Sequence, residues 1–287
     1  MRRYRQLFHV SQDGLRLHAR IYAGPAADAP VVLCLHGVMR NARDFEDLAP
    51  HLQSRYRLIA ADLRGRGFSA RDPNPENYRP AVYVRDLLDL LAAAQVGGRI
   101  AIIGTSLGGI LAMMLANSHR PMIAGIVLND VGPELDPAGV ERIKGYAGRT
   151  PPPRDWSGAA AQTQEIYGAA WRNLAPQRWP VLARRGYRED AAGILRVDAD
   201  PLIGAAMRSA PVAPLDLWPL WAGLGDVPAL GIRGAASDLL SAAVFARMRA
   251  EKPDLRQLTV ADRGHVPLLD EPECLLAIDM FLAEIFH

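Results

Sequence analysis

Short apolar runs typical of buried strands alternate along this chain with stretches of helical periodicity. The strand-like runs lie at 31–35, 57–61, 100–103, 123–128, 229–232 and 255–260. Between two of them, the apolar positions Tyr83, Leu87, Leu90 and Leu91 recur at helical spacing. This alternation predicts an α/β fold whose sheet is mostly parallel and carries helices on both faces.

Residues 133–221 interrupt the alternation. The segment is rich in proline, contains all five tryptophans and has no run that convincingly predicts a strand. We interpret it as a helical insertion, a cap over one end of the sheet. The predicted core domain is then formed by residues 1–132 and 222–287, and a turn signal at 12–14 predicts that the core begins with a hairpin.

One serine lies where a strand passes into a helix. The segment 104–108, with the sequence GTSLG, follows the apolar run at 100–103 and precedes a helical stripe. So tight a turn strains the serine backbone and leaves room only for very small residues two positions away, which Gly104 and Gly108 satisfy. Ser106 is therefore the predicted nucleophile, at a helix N-terminus that offers free N–H groups.

A serine hydroxyl needs a base, and the base needs a group that orients it. Of the seven histidines, His265 follows the last predicted strand, at the sheet edge where Ser106 must also lie. For the orienting carboxylate we expect Asp238, in the loop after the run at 229–232. Asp130, which ends the strand before the insertion, is the rival. The predicted catalytic residues are Ser106, Asp238 and His265.

An acyl-transfer intermediate also needs two donors for its oxyanion. We expect the first to be the N–H of Leu107, at the helix start. The second is predicted at Val38, because His36-Gly37-Val38 turns at another strand end. His36 is then a structural histidine beside that loop.

Composition excludes several other classes of protein. The 33 basic and 31 acidic residues are spread along the chain, which disfavours nucleic acid as a partner. No apolar run approaches the ~20 residues that cross a bilayer, and no signal-peptide pattern follows the basic start, so we expect a cytoplasmic protein without a membrane partner. Cys34 and Cys274 are each predicted to be a small, buried hydrophobic residue, so no metal site is expected.

These motifs together resemble the α/β-hydrolase superfamily, as a serine hydrolase with a helical cap. The resemblance covers nearly the whole chain and rests on motifs in the family's order: His36-Gly37, the loop 62–67 (DLRGRG), the segment 104–108, Asp238 and Gly264-His265. It implies an α/β-hydrolase fold with a mostly parallel eight-stranded sheet, no cofactor, and the insertion 133–221 as the cap.

The expected activity is hydrolysis of a carboxylic ester or lactone of a small, partly apolar substrate through an acyl-enzyme. The runner-up is hydrolysis of a carbon–carbon bond in a diketone with the same catalytic residues; a haloperoxidase or perhydrolase and a non-catalytic ligand receptor are weaker alternatives. Arg40 is predicted to pair with a substrate carboxylate, and Trp156 and Trp171 to line the pocket. The protein is expected to be a monomer or homodimer.

Overall fold

The predicted sheet is present in the computed structural model, which describes residues 4–209 and 216–286. The strands within those ranges are β1 (Arg5–Val10), β2 (Arg16–Tyr22), β3 (Val31–Leu35), β4 (Arg57–Asp62), β5 (Ile100–Thr105), β6 (Ile123–Asn129), β7 (Tyr187–Glu189), β8 (Leu195–Val197), β9 (Ala229–Gly234) and β10 (Arg256–Val260). Eight of them form one sheet in the order β1-β2-β4-β3-β5-β6-β9-β10, which confirms the expected fold class.

The first two strands form the predicted hairpin, and β2 pairs antiparallel with β4. Every other neighbouring pair in this sheet is parallel. The register places Leu35 beside Gly104, Thr105 beside Asn129, and Asn129 beside Ile232. Four parallel strands therefore end at the same edge, so the loops that follow them meet there.

Helices cover both faces of the sheet. They are α1 (Leu48–Leu52), α2 (Pro80–Ala93), α3 (Leu107–Ser118), α4 (Pro137–Tyr146), α5 (Trp156–Tyr167), α6 (Arg178–Gly186), α7 (Pro201–Ser209), α8 (Trp218–Ala222), α9 (Ala242–Glu251) and α10 (Pro272–Phe286), with short 3-10 helices at Ala42–Phe45, Pro75–Asn77 and Arg120–Met122. Asn41 caps the first 3-10 helix, because its side-chain oxygen accepts the Arg43 N–H at 3.0 Å.

Alternate strand residues supply two apolar cores. On β3, Leu33 packs on the face covered by α2 and α3, whereas Val32 and Cys34 pack on the face covered by α1 and α10. Their side chains are completely buried. Because both faces are covered, the strands read as continuous apolar runs, which is why the sequence revealed them.

The segment 133–221 contains five helices, as far as it is described, but the expectation that it has no strand is wrong. Strands β7 and β8 form a separate antiparallel pair of three residues each. Runs this short carry no readable periodicity, so the sequence pattern missed them. The segment's last helix, α8, packs on α3, and Trp221 belongs to the main core. Residues 210–215 of the predicted insertion lie outside the described residues.

No helix in the described part of the chain is both long and apolar enough to cross a membrane.

Candidate active site

Ser106 lies on a strained turn between β5 and α3. Its backbone has φ +52° and ψ −115°, a conformation that L-residues rarely adopt. A Cβ atom at Gly104 would lie 2.4 Å from the Gly108 carbonyl oxygen, and one at Gly108 would lie 2.1 Å from the Leu35 carbonyl oxygen. Both glycines are therefore sterically required, for the reason predicted from the sequence.

Ser106, His265 and Asp130 form a hydrogen-bonded row at the shared strand edge. The His265 Nε2 atom lies 3.0 Å from Ser106 Oγ, and His265 Nδ1 lies 2.8 Å from Asp130 Oδ2. All three side chains are buried. A base within reach of the hydroxyl and a carboxylate on the far side of the imidazole are the arrangement that activates a serine.

The Asp130 carboxylate is held by three donors. Besides His265, the Gly234 N–H donates to Oδ1 at 2.8 Å, and the Ser237 hydroxyl donates to Oδ2 at 2.6 Å. The side chain is completely buried. These hydrogen bonds meet the requirement that a buried carboxylate be paired, and they fix the oxygen that faces the imidazole.

The prediction that Asp238 orients His265 is wrong. The Asp238 carboxylate pairs instead with the Arg142 guanidinium of α4, in a two-pronged contact whose Nη2–Oδ1 distance is 2.8 Å. The loop after β9 contributes Ser237, one residue earlier, whose hydroxyl donates to Asp130 and not to the imidazole. Burial alone would raise the pKa of Asp238, but the Arg142 contact outweighs burial and lowers it.

The two predicted oxyanion donors flank Ser106. Val38 lines the cavity in front of the serine, and Leu107 is the first residue of α3. The first helical hydrogen bonds run from Gly109 and Ile110 to the Ser106 carbonyl. Within residues 4–209 and 216–286, neither the Val38 N–H nor the Leu107 N–H donates to a backbone acceptor.

His36 fixes the peptide that carries the Val38 N–H. Its Nε2 accepts the Leu63 N–H at 3.1 Å, so the proton resides on Nδ1, which donates to the Gly37 carbonyl at 2.7 Å. Burial, with a smaller effect of the Arg66 charge, lowers the pKa of His36 to about 4. The imidazole is neutral at pH 7. Since the Gly37 carbonyl is held on one side of a planar peptide, the Val38 N–H points to the other.

A cavity opens over Ser106 between the sheet edge and the segment 133–221. The space at this position amounts to about 710 Å³ when the solvent at its open mouth is included. Much of the lining is apolar, with Arg40, Asp44 and Arg185 as charged exceptions. The structure therefore brings Arg40 to the cavity, together with Ser106, His265 and Val38.

The two predicted pocket tryptophans differ. Trp171 lines the cavity and stacks on Tyr167, with ring centres 4.6 Å apart. The prediction for Trp156 is wrong, because this residue begins α5 outside the cavity. Its indole N–H donates to Glu189 at 3.0 Å, and its ring faces the Arg184 guanidinium at 4.5 Å. Helical periodicity does not predict which way the side chain of a residue at the start of a helix points.

The segment 133–221 also holds the loop that carries His265. The Gly264 N–H donates to the Ala170 carbonyl at 2.7 Å, and the Trp171 indole N–H donates to the Val266 carbonyl at 2.7 Å. The residues on either side of His265 are thus bonded to the insertion. The imidazole is positioned by the sheet edge and by the covering segment together.

Sequence reasoning missed several polar residues of the cavity wall. Asn129 ends β6 and is almost completely buried; its amide nitrogen donates to the Pro267 carbonyl at 3.0 Å, and its Oδ1 has no partner among the described residues. The sequence feature that could have identified Asn129 is its position directly before Asp130. Tyr146 and Tyr167 end α4 and α5, and nothing in the sequence distinguished them from ordinary helix residues. Among the described residues, no cluster of three or more potential metal ligands occurs.

Comparisons with known proteins agree with this architecture. Residues 32–277 match the model of the Alpha/beta hydrolase family. The chain is 32% identical over 279 residues to a 3-hydroxybutyrate-oligomer hydrolase of Cupriavidus necator, with 92% of each chain covered. It is 26% identical to a 2-(acetamidomethylene)succinate hydrolase of Mesorhizobium japonicum, with 88% of each covered. The crystal structure of an alpha/beta hydrolase from Novosphingobium aromaticivorans superposes with a TM-score of 0.92 at 41% identity, covering 99% of each chain.

Proposed function

Because the chain belongs to the alpha/beta hydrolase family, we propose that it is a serine hydrolase that cleaves a carboxylic ester or lactone through an acyl-enzyme on Ser106. The observation that carries the proposal is the row of hydrogen bonds from Ser106 Oγ through His265 to Asp130, at 3.0 and 2.8 Å. The adjacent Val38 and Leu107 N–H groups, which donate to no backbone acceptor among the described residues, support it further.

In the first half-reaction, His265 Nε2 takes the hydroxyl proton while Ser106 Oγ bonds to the carbonyl carbon. The carbonyl electron pair moves to the oxygen, which accepts hydrogen bonds from the Val38 and Leu107 N–H groups. The tetrahedral intermediate collapses as the bond to the leaving oxygen breaks and His265 gives its proton to that oxygen. Asp130 stays ionised and stabilises the imidazolium.

In the second half-reaction, a water molecule replaces the alcohol. His265 takes a proton from the water as its oxygen attacks the acyl carbon, and then returns a proton to Ser106 Oγ. One ester and one water are consumed, and one acid and one alcohol are formed. A lactone follows the same steps and yields a single hydroxy acid.

The substrate class follows from the cavity and from one relative. The Cupriavidus necator protein is named for an oligomer of 3-hydroxybutyrate, and oligomers of hydroxy acids are joined by ester bonds. We place the substrate of this chain among esters of small hydroxy acids, since the cavity beside Ser106 has a largely apolar wall with few charged groups.

The test compares wild type with Ser106→Ala, and with Ser118→Ala as a matched control, because Ser118 lies exposed on α3. Wild type and the control should hydrolyse p-nitrophenyl acetate and be labelled once by a fluorophosphonate probe. Ser106→Ala should lose label and on the order of 10⁶-fold in kcat. Equal labelling and turnover in all three proteins contradict the proposal, as does an absence of turnover in all three, which points to a receptor.

A further inference from the structure

One wall of the cavity carries three polar side chains that lie close together. Arg40, Tyr146 and Tyr167 all line the cavity. The Tyr167 hydroxyl interacts with both the Arg40 guanidinium and the Tyr146 hydroxyl. Among the described residues, Asp44 bonds Nε and Nη2 of Arg40 and leaves Nη1 without a carboxylate partner. The Tyr167 ring centre lies 5.4 Å from the Arg40 guanidinium carbon, and Tyr146 lies edge-on to Tyr167 at 6.0 Å. The donors therefore form one group.

The Arg40 side chain is fixed, so its free edge has a defined direction. Nε lies 3.0 Å from both oxygens of Asp44, and Nη2 lies 2.5 Å from Oδ1. The planar guanidinium is thereby locked on one side, and Nη1 remains as the unoccupied end. Burial alone would lower the pKa of Arg40, but the neighbouring Asp44 outweighs burial and raises it, so the charge is permanent.

Arg40 and Ser106 border the same small space. A methyl group built on Gly37 would lie 3.7 Å from Arg40 Cγ and 3.9 Å from Ser106 Cβ. The aliphatic part of the Arg40 side chain and the Ser106 side chain therefore lie on two sides of the space next to Gly37. Because both residues line the cavity, a ligand group bonded to Arg40 and an ester held at Ser106 share one space.

The last residue of α6, Gly186, leaves space for the Nη1 atom of Arg40. A Cβ atom at Gly186 would lie 3.1 Å from Arg40 Nη1, closer than side chains ordinarily approach. Glycine at this position therefore keeps Nη1 uncrowded. This observation is independent of the contact between Arg40 and Asp44.

We propose that Arg40 Nη1 and the Tyr146 and Tyr167 hydroxyls bind a carboxylate of the substrate, so that the preferred esters carry a free carboxylate a few carbon atoms from the scissile bond. A singly charged group fits best, because the Arg40 charge is already shared with Asp44. The inference rests on the proposed ester hydrolysis and specifies its substrates.

The test uses two matched substrate pairs in which a methyl group replaces the carboxylate. Mono-p-nitrophenyl glutarate is compared with p-nitrophenyl pentanoate, and 4-acetoxybenzoate with 4-methylphenyl acetate, after subtraction of spontaneous hydrolysis. We expect wild type to prefer the carboxylate member of at least one pair in kcat/KM. The two pairs place the carboxylate on the acyl and on the alcohol side respectively.

The variant Arg40→Gln combined with Asp44→Asn removes the pair without leaving a lone charge in the cavity wall. It should reduce the wild-type preference by about 10- to 100-fold, mostly through KM, as expected for hydrogen bonds to a charged group. Gly186→Ala should reduce the preference several-fold by crowding Nη1. Its matched control is Gly145→Ala on α4, where a Cβ meets no atom within 4 Å, and which should keep the preference.

The outcomes separate the two proposals. If the pentanoate is hydrolysed in a Ser106-dependent manner but neither carboxylate is preferred, the subsite is wrong and the hydrolase stands. The subsite is equally wrong if a preference exists and survives both the double variant and Gly186→Ala. If no ester is hydrolysed in a Ser106-dependent manner, both proposals are overturned.

Discussion

The sheet edge and the segment 133–221, which covers that edge, contribute to the site in different ways. At the sheet edge, Ser106, Asp130 and His265 are buried and bonded to one another. The covering segment, residues 133–221, contacts the same region through hydrogen bonds such as that from Trp171 to Val266. It also forms partly exposed ion pairs such as Arg142 with Asp238, whose side chains are 33% and 38% exposed. The position of the hydrogen-bonded row therefore depends mainly on the ends of the strands, and the covering segment adds support to the loop that carries His265.

The largest expected effect contrasts the two carboxylates. Asp130→Asn should lower kcat on the order of 10⁴-fold, as loss of the orienting group does in serine proteases. The reason is that the imidazole loses the carboxylate that keeps its proton on Nδ1. Asp238→Asn, the matched control, should change kcat by less than about 10-fold, since its carboxylate contacts Arg142. The measurement is kcat for p-nitrophenyl acetate in variants whose circular dichroism is native. The reverse ranking would return the orienting role to Asp238.

An intermediate effect is expected where the two regions meet. Trp171→Phe keeps an aromatic ring but removes the N–H that donates to Val266 at 2.7 Å, so the His265 loop loses one support. We expect roughly a 10-fold lower kcat even for a short acetyl ester, because small displacements of a catalytic group are costly.

Trp179→Phe provides the matched control for that experiment. Trp179 lies in the same apolar cluster, 5.9 Å from Trp171, and its indole makes no hydrogen bond within the described ranges. Its substitution should leave the short ester's kcat nearly unchanged. A Trp171 variant impaired only with long esters would show instead that the covering segment selects substrates without positioning His265.

The smallest effect concerns stability and pH. The pKa of Asp238 is lowered in the folded protein, so its contribution is present above the unfolded pKa of about 4 and is lost as pH falls through the folded value. Asp238→Asn should therefore lower Tm by about 1–3 °C at pH 7, since a partly exposed ion pair contributes little. The difference between wild type and variant should shrink in acid. A difference that grows on acidification contradicts this account.

Much of the site was predictable because its signals are local. The glycines at 104 and 108 are required by a turn of five residues, and the sequence therefore identified Ser106. His265 was identified by its place after the last strand. Arg40 reaches the cavity because it follows the loop at Val38, which comes directly after β3.

Three features could be predicted from the sequence: the strands of the main sheet, the serine turn and the edge at which the loops meet. Sterics and periodicity act over a few residues, so these features leave a local signal. Only the tertiary structure decided that Asp130, 135 positions from His265, meets the imidazole while Asp238 pairs with Arg142. It also decided that Trp171 and not Trp156 faces the cavity. Such choices depend on the paths of loops and on how separate elements pack, and no short stretch of sequence encodes them.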